Sequence, residues 1–351
     1  MNTKLISRFD ISVVVLALMA MSGHTSAAAD YRYIDLGPGT AYDINNSGQI
    51  VGKDGANAVV WNGDSKTVLG PGEAYGINNI GQIVGVSGIK ATLWDGTSSI
   101  TLPPPPGPGY AEGASTASAI NDAGKIAGDA EDDSLPVDPV FWEDASTPAT
   151  VIGSRGRAND INNKGQIIGS AGSGANPGFV FDETGIHSLS FDAHRINNDG
   201  LIVGSAFGQA AFLYPANNLT LLDPLEGFLH ASAEGVNDNG SIAGFSYNDG
   251  LNPSPTSHAT YWDANSPSTA AIDLNSFLPA SVRDEGWVLI NAQAINNSGS
   301  IIGQAYNTSL VLQHAFVLSP VPEPETYALL LAGLGMICFL RYRRGSGYSF
   351  R

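Results

Sequence analysis

The nine residues Ile44-Asn45-Asn46-Ser47-Gly48-Gln49-Ile50-Val51-Gly52 constrain this chain more than anything else in it, because they return six times. The phrase recurs as INNIGQIVG from Ile77, INDAGKIAG from Ile120, INNKGQIIG from Ile161, INNDGLIVG from Ile196, VNDNGSIAG from Val236 and INNSGSIIG from Ile295. The seven copies start 33, 43, 41, 35, 40 and 59 residues apart. Repeats of such periods mark propellers, solenoids and arrays, in which one supersecondary unit packs on copies of itself.

Each unit reads as four short strands. In the first, Ala41 to Asn45 is a strand and Asn46-Ser47-Gly48 a turn. Asn tolerates the left-handed backbone there, and Gly enters it without steric cost. Gln49 to Gly52 returns as a second strand whose β-branched pair suits a buried pleated surface. Ala58-Val59-Val60-Trp61 is a third strand, Asn62-Gly63 a hairpin turn, and Lys66 to Leu69 a fourth strand. The third-strand phrase recurs in every unit and ends in Trp at 61, 94, 142 and 262. An aromatic fixed at one repeat position is expected in the core between sheets, because each ring buries a large apolar area. With 42 Gly, 20 Pro and 14% charged residues the chain is poor helix material, while 43% hydrophobic residues supply a core.

The seventh unit has no fourth strand, since after Leu318 the chain runs into Ser319-Pro320-Val321-Pro322. Yet Tyr31 to Gly37, near the start, reads as a fourth strand with no unit before it. A ring uses that exchange: the N-terminal strand completes the last blade and removes the open edge. The sequence therefore predicts an all-β fold, a seven-bladed β-propeller with four-stranded blades closed by the N-terminal strand. A linear β-solenoid is the alternative and has no use for the exchange. Two insertions interrupt the units. Leu102 to Gly109 is a polyproline-like run, read as a stiff solvated loop. Asn275 to Pro279 reads as a helical turn, followed by an extended lead-in from Glu285 to Asn291.

Between Asp30 and Pro320 there are 10 basic and 30 acidic residues, about −20. So acidic a surface argues against nucleic acid or an anionic membrane as partner. The one cysteine, Cys338, lies outside this body, which excludes disulfides and thiolate metal sites from it.

The two ends carry an address. Residues 1–29 read as a cleavable signal helix, with Lys4 and Arg8 ahead of an apolar run from Ile11 to Met21 and the small residues Ala27-Ala28-Ala29 at the exit. Signal peptidase is then a partner, cutting before Asp30. Residues 30–320 form the propeller and residues 321–351 a tail. In the tail Val321-Pro322-Glu323-Pro324-Glu325 precedes an apolar run from Tyr327 to Leu340 and the basic group Arg341-Tyr342-Arg343-Arg344. As a helix that run reaches roughly 25 Å, just enough to cross a membrane, with the arginines holding its end in the cytoplasm. The tail resembles the PEP-CTERM sorting signal in all three parts. The resemblance implies a Gram-negative, exopolysaccharide-producing bacterium, export, and processing by an exosortase. On that basis Pro322, Glu323 and Pro324 are the recognition motif, and the transmembrane helix with Arg341, Arg343 and Arg344 is discarded. The body would thus be anchored in the inner membrane only before processing, and then reach the cell surface or matrix. The repeats resemble those of the HAF family of extracellular proteins, whose INNxGxIVG phrase is present throughout; the His-Ala-Phe phrase is kept closely only at His258-Ala259 and His314-Ala315-Phe316. That family brings a location and no established activity.

Local chemistry is sparse. There is no G-x-S-x-G, H-E-x-x-H, Cys/His metal spacing or P-loop. Nothing here demands an enzyme, although a site assembled from several blades would leave no local motif. His258 and His314 share a repeat position where other units carry Asn57, Lys90 or Asp138, the variation of a rim, and His194 precedes the fifth phrase. One pattern suits a hard cation: Asp43, Asn45, Asp160 and Asn162 place oxygen side chains ahead of a turn glycine, and calcium is the candidate. The competing reading is that these residues cap tight turns through their own backbone, with no cofactor bound. The expected function is a non-enzymatic surface or biofilm-matrix protein that binds exopolysaccharide or a surface protein. A propeller hydrolase or lyase acting on glycans, and a passive spacer, are the alternatives.

Overall fold

The computed structural model describes residues 30–321 apart from 97, 133–136, 173–176, 214–218, 250–256 and 267. The signal helix expected over residues 1–29, the motif Pro322-Glu323-Pro324, the C-terminal span and Arg341, Arg343 and Arg344 lie outside the described residues. Among those described, no helix is long and apolar enough to cross a membrane. The chain divides into two compact units, Arg32–Ser319 and a terminal unit of Met1–Tyr31 with Pro320–Arg351. The first is all-β.

Seven four-stranded antiparallel sheets follow one another along the chain. The first blade runs Thr40–Ile44, Ile50–Asp54, Asn57–Asn62 and Ser65–Pro71, each strand paired with the next. Five more blades repeat the pattern. The seventh has the order Trp287–Ile295, Ile301–Asn307, Leu312–Pro320 and then Tyr31–Pro38, so the N-terminal strand supplies its outermost position. The exchange between the two ends of the body is thus present, and the fold is the predicted seven-bladed propeller. Fourth strands are the weakest part of the units: in the third and sixth blades they shrink to Thr150–Val151 and Ile272–Asp273. After the second of these, a 3₁₀ turn at Leu274–Phe277 and a short α-helix at Ala280–Asp284 fill the longest insertion.

The repeated phrase closes the ring. In each copy the first Asn caps its own turn, its Oδ1 accepting the backbone N–H four residues on at 2.8–3.0 Å. Its Nδ2 then donates to the backbone carbonyl of the first Asn in the next blade. The chain of donors runs Asn45, Asn78, Asn121, Asn162, Asn197, Asn237, Asn296 and back to Asn45, at 2.9–3.1 Å. A second closed belt lies beside it. There the backbone N–H of the third residue of each phrase donates to the side-chain Oδ1 of the third residue in the next, from Asn46 to Asn79, Asp122, Asn163, Asn198, Asp238, Asn297 and back, at 2.8–2.9 Å. The Asn amide offers an acceptor to its own turn and a donor to a neighbour from separate atoms of one short side chain, and Asn holds the second position of the phrase in all seven copies.

The two glycines of the phrase answer different demands. The turn glycine has a positive φ, 82° at Gly48 and 79° to 94° in the other copies. The final glycine faces an alanine of the inner strand, as in Ala41 opposite Gly52 and Ala117 opposite Gly128. A Cβ on Gly128 would overlap the carbonyl oxygen of Thr116 and stand 3.0 Å from Ala117 Cα. Buried alanines hold that place in all seven inner strands: Ala41, Ala74, Ala117, Ala158, Ala193, Ala233 and Ala292.

The core sits between blades. Trp61, Trp94, Trp142 and Trp262 are buried, as expected. Trp142 packs with Val84, Leu93 and Leu102 of the preceding blade. Indole N–H groups also reach backward, from Trp61 to the Leu36 carbonyl, Trp142 to Pro103 and Trp262 to Asp223. The proline run is therefore anchored where Pro103 meets Trp142, and Leu102 and Pro105 are buried rather than solvated. His258 and His314 stand at the blade periphery, paired with Asp273 and Asp35 and stacked on Phe228 and Trp287.

Candidate functional site

Every inner strand carries a bulge at the same repeat position, and Trp287–Ile295 has a second one between Leu289 and Asn291. The register slips between Ala41 and Asp43, Ala74 and Gly76, Ala117 and Ala119, and Ala158 and Asp160. It slips again between Ala193 and Arg195, Ala233 and Gly235, and Ala292 and Ala294. The unpaired residues are Tyr42, Tyr75, Ser118, Asn159, His194, Glu234 and Gln293, two places before the repeated Ile or Val. A bulge re-aims a side chain that the pleat would otherwise direct elsewhere. Here all seven line one central cavity of about 360 Å³, together with Thr116, Asp129, Arg157 and Arg195.

A smaller cavity of about 150 Å³ opens among the asparagine belts. Arg195 lines both and lies between them. Its Nη1 is 3.7 Å from Asp43 Oδ1 and 3.7 Å from Asp160 Oδ1, and its Nη2 donates to the Tyr42 carbonyl at 3.2 Å. The same two carboxylates accept backbone N–H groups of the following blades, Asp43 from Ile77 and Asp160 from Ile196. Burial raises the Asp160 carboxyl to about 6, against the pull of Arg195, and raises Asp43 in the same way.

The larger cavity is polar and internally paired. Glu234 Oε1 is 3.3 Å from His194 Nδ1 and accepts from Ser232 Oγ at 2.6 Å. Asp192 lies 3.6 Å from the other ring nitrogen. Burial pulls the His194 pKa down, but the Asp192 and Glu234 carboxylates outweigh it and raise it to about 10. Burial would likewise raise Glu234, and His194 holds it below its ordinary range. Across the cavity the phenols of Tyr42 and Tyr75 both donate to Glu73 Oε2, at 2.8 and 3.2 Å, and Lys53 pairs with Glu73 Oε1 at 2.9 Å. The two rings lie 5.2 Å apart. Burial and Glu73 push Tyr75 up to about 12. Among the described residues, the side chains of Thr116, Ser118 and Gln293 make no hydrogen bond to protein, which leaves them for whatever fills the space.

The His194 pair makes a pH prediction. A histidine whose pKa rises from about 6.5 to about 10 on folding contributes stability that is complete below pH 6.5 and is lost as pH climbs toward 10. The gap in thermal midpoint between the wild type and His194→Gln should therefore be largest near pH 6 and shrink steadily to pH 10. A gap constant with pH would show that His194 is not charged by its neighbours.

The residues expected to hold a cation are placed in two kinds of position. Asn45 and Asn162 are engaged by the belt: each Oδ1 accepts the N–H groups two and four residues on, and each Nδ2 donates to the next blade. Asp43 and Asp160 converge on Arg195. Among the described residues, no group of three or more His, Cys, Asp or Glu is placed to hold a metal ion. Arg195, Glu234, Arg157 and Asp129 carry the electrostatics of the channel and were not singled out from sequence. The signal available was divergence within the repeats. Two places before the repeated Ile, the units read Tyr, Tyr, Ser, Asn, His, Glu and Gln, while the flanking Ala and Asn never change.

Residues 320–344 match the PEP-CTERM protein-sorting motif, which implies export to the cell surface and processing by an exosortase. No curated protein matches the chain. Among solved structures, virginiamycin B lyase from Staphylococcus aureus is similar with a TM-score of 0.48 and 10% identity, over 83% of this chain and 100% of that one. The WD40 domain of SCAP from fission yeast gives 0.37 and 10%, over 85% and 89%. Scores below 0.5 at such identity carry no inference about function.

Proposed function

We propose that this chain is an exosortase-processed surface or biofilm-matrix propeller that holds one glycan unit of an exopolysaccharide in its central cavity and releases it unchanged. The observation that carries this reading is the set of seven bulges, which turns seven side chains of five chemical kinds into one cavity. The Ala before this position and the Asn three places after it are constant, while the position itself collects phenol, hydroxyl, amide, imidazole and carboxylate. A cavity of about 360 Å³ falls in the range of small-molecule sites. A sugar suits it because hydroxyls can meet Ser118, Thr116 and Gln293 while its C–H face lies on the tyrosine rings. The PEP-CTERM motif and the resemblance to HAF repeats support a place where such polymers are found.

A catalytic reading draws on Asp129, a buried carboxyl that faces the cavity and is raised to about 6 by its burial. That is a range suited to a general base. Against it, the other carboxylate of the cavity, Glu234, is already engaged by His194 at 3.3 Å and by the Ser232 hydroxyl at 2.6 Å. One experiment separates the readings. Oligosaccharides cut from the producing organism's exopolysaccharide are titrated calorimetrically into the purified chain, then recovered and weighed by mass spectrometry. Saturable binding with unchanged mass is the expected result. Cleaved or unsaturated product would establish a hydrolase or lyase, and absence of binding to folded protein would leave a protein ligand or a passive spacer.

A further inference from the structure

We infer that the glycan unit held in the cavity is acidic, a hexuronate whose carboxylate docks on the guanidinium of Arg157. The inference rests on the glycan reading above and names the class of sugar.

Arg157 sits on the inner strand Gly156–Ile161, two residues before the bulged Asn159, and lines the cavity. Its side chain is 57% exposed. Among the described residues its one side-chain partner is Asp129 Oδ2, a single contact of 3.4 Å from Nη1. A guanidinium has five N–H donors in a planar fork, and a carboxylate takes two of them in parallel. Arg157 therefore presents an open fork to the cavity. The other cationic side chains that line it are closed: His194 by Glu234 and Asp192, Arg195 by Asp43 and Asp160. In a body with 10 basic residues against 30 acidic, an open arginine in a central cavity stands out from the surface potential around it.

Asp129 is a weak competitor for that fork. It is buried on Ile126–Ala130, and burial raises its carboxyl to about 6 against the pull of Arg157. The groups facing it are few. The paired inner strand Ser115–Ile120 carries no titratable residue. The third strand offers Asp138, which is engaged by Tyr110 and the Arg155 N–H. Glu131, just past the end of that strand, also pushes it up. An incoming carboxylate beside Asp129 favours its protonation, so binding takes up a proton and strengthens as pH falls from 8 toward 6. The acidic exterior sets a limit on the polymer. Repulsion between exposed charges reaches about 8 Å at physiological salt. A dense polyuronate would meet it along its whole length, whereas a single uronate among neutral sugars would not.

The test uses disaccharides of a hexuronic acid and a neutral hexose, in the gluco, galacto and manno series, each beside its carboxyl-reduced counterpart. They are titrated at pH 6 and pH 8 into the purified wild type, Arg157→Gln and Arg157→Lys, whose folding is checked by thermal midpoint. The wild type should bind at least one acidic disaccharide ten-fold or more tighter than its reduced form, and more so at pH 6. Arg157→Gln should erase that preference by weakening the acidic sugar at least ten-fold more than its reduced form, with Arg157→Lys between the two. Equal affinity for acidic and reduced forms in the wild type overturns the inference and leaves the glycan reading standing. Failure of every disaccharide to bind the folded chain overturns both.

Discussion

A chain lacking Tyr31–Pro38 should not form a stable monomeric ring. Without that strand the seventh blade ends at Leu312–Pro320, and its backbone donors and acceptors become a free edge. The loss is also apolar. Ile34 and Leu36 cover a cluster containing Trp61, Ala315 and Val317, and the Leu36 carbonyl is the acceptor for Trp61 Nε1. His314 loses Asp35 as well. Two half-buried aliphatic side chains and the cover over a buried Trp amount to roughly 3–5 kcal/mol at about 25 cal/mol per Å². A strand's ladder of hydrogen bonds at about 1 kcal/mol each adds to that. The total is comparable with the roughly 5–15 kcal/mol by which domains are stable. The deleted chain should elute as soluble aggregate and lose its cooperative melt, because a long free edge pairs with other copies. A monomer melting within a few degrees of the intact chain would mean that the last blade is closed by something else.

The second large effect is expected at Gly128. The final glycine of the phrase has ordinary backbone dihedrals, so an alanine there suffers no φ penalty. What it meets is the backbone of the inner strand: the new methyl would overlap the Thr116 carbonyl and crowd Ala117. Neither can yield as a flexible side chain would. Relief requires the inner strand to move away from the second strand, which displaces the bulge and with it Ser118 in the cavity. Overpacking that displaces backbone belongs to the upper part of the mutational range, about 3 kcal/mol or more. Gly124→Ala, at the turn with φ 81° and room around it, should cost only about 1 kcal/mol. Urea unfolding of the two variants checks the ranking. If Gly124→Ala proves the more damaging, the close approach of the two strands is not what the phrase protects.

The ring was legible in the sequence because its devices are repetitions. Seven Asn-x-x-Gly turns, a Trp at one third-strand position, a spare strand near the start and a missing one in the last unit are patterns a single chain can display. The meaning of the Asn was only half legible. Capping is local, so Asn45 could be assigned to its own turn from spacing alone, whereas its donation to the Asn78 carbonyl crosses 33 residues and depends on blades standing side by side. The cavity was not legible, for a physical reason. A bulge is a property of register between strands, and the residue it releases can be anything. In the sequence His194 and Arg195 are merely the two residues ahead of a phrase, although together they bring positive charge to the middle of an acidic protein. The same divergence that hid the site also marks it, once Ala117 and Asn121 are recognised as the fixed frame around a variable Ser118.

The central claim is that the bulged residues serve a ligand while the asparagine belts serve the ring. It is tested most directly by titrating the oligosaccharide bound by the wild type into the double variant Ser118→Ala/Gln293→Ala. Neither side chain has a hydrogen-bond partner among the described residues, so the melting temperature should stay within about 2 °C of the wild type, as for surface changes of a few tenths of a kcal/mol. Affinity should fall at least ten-fold, about 1.4 kcal/mol. Unchanged affinity in a fully folded double variant would contradict the account, because the ligand would then lie somewhere other than the channel.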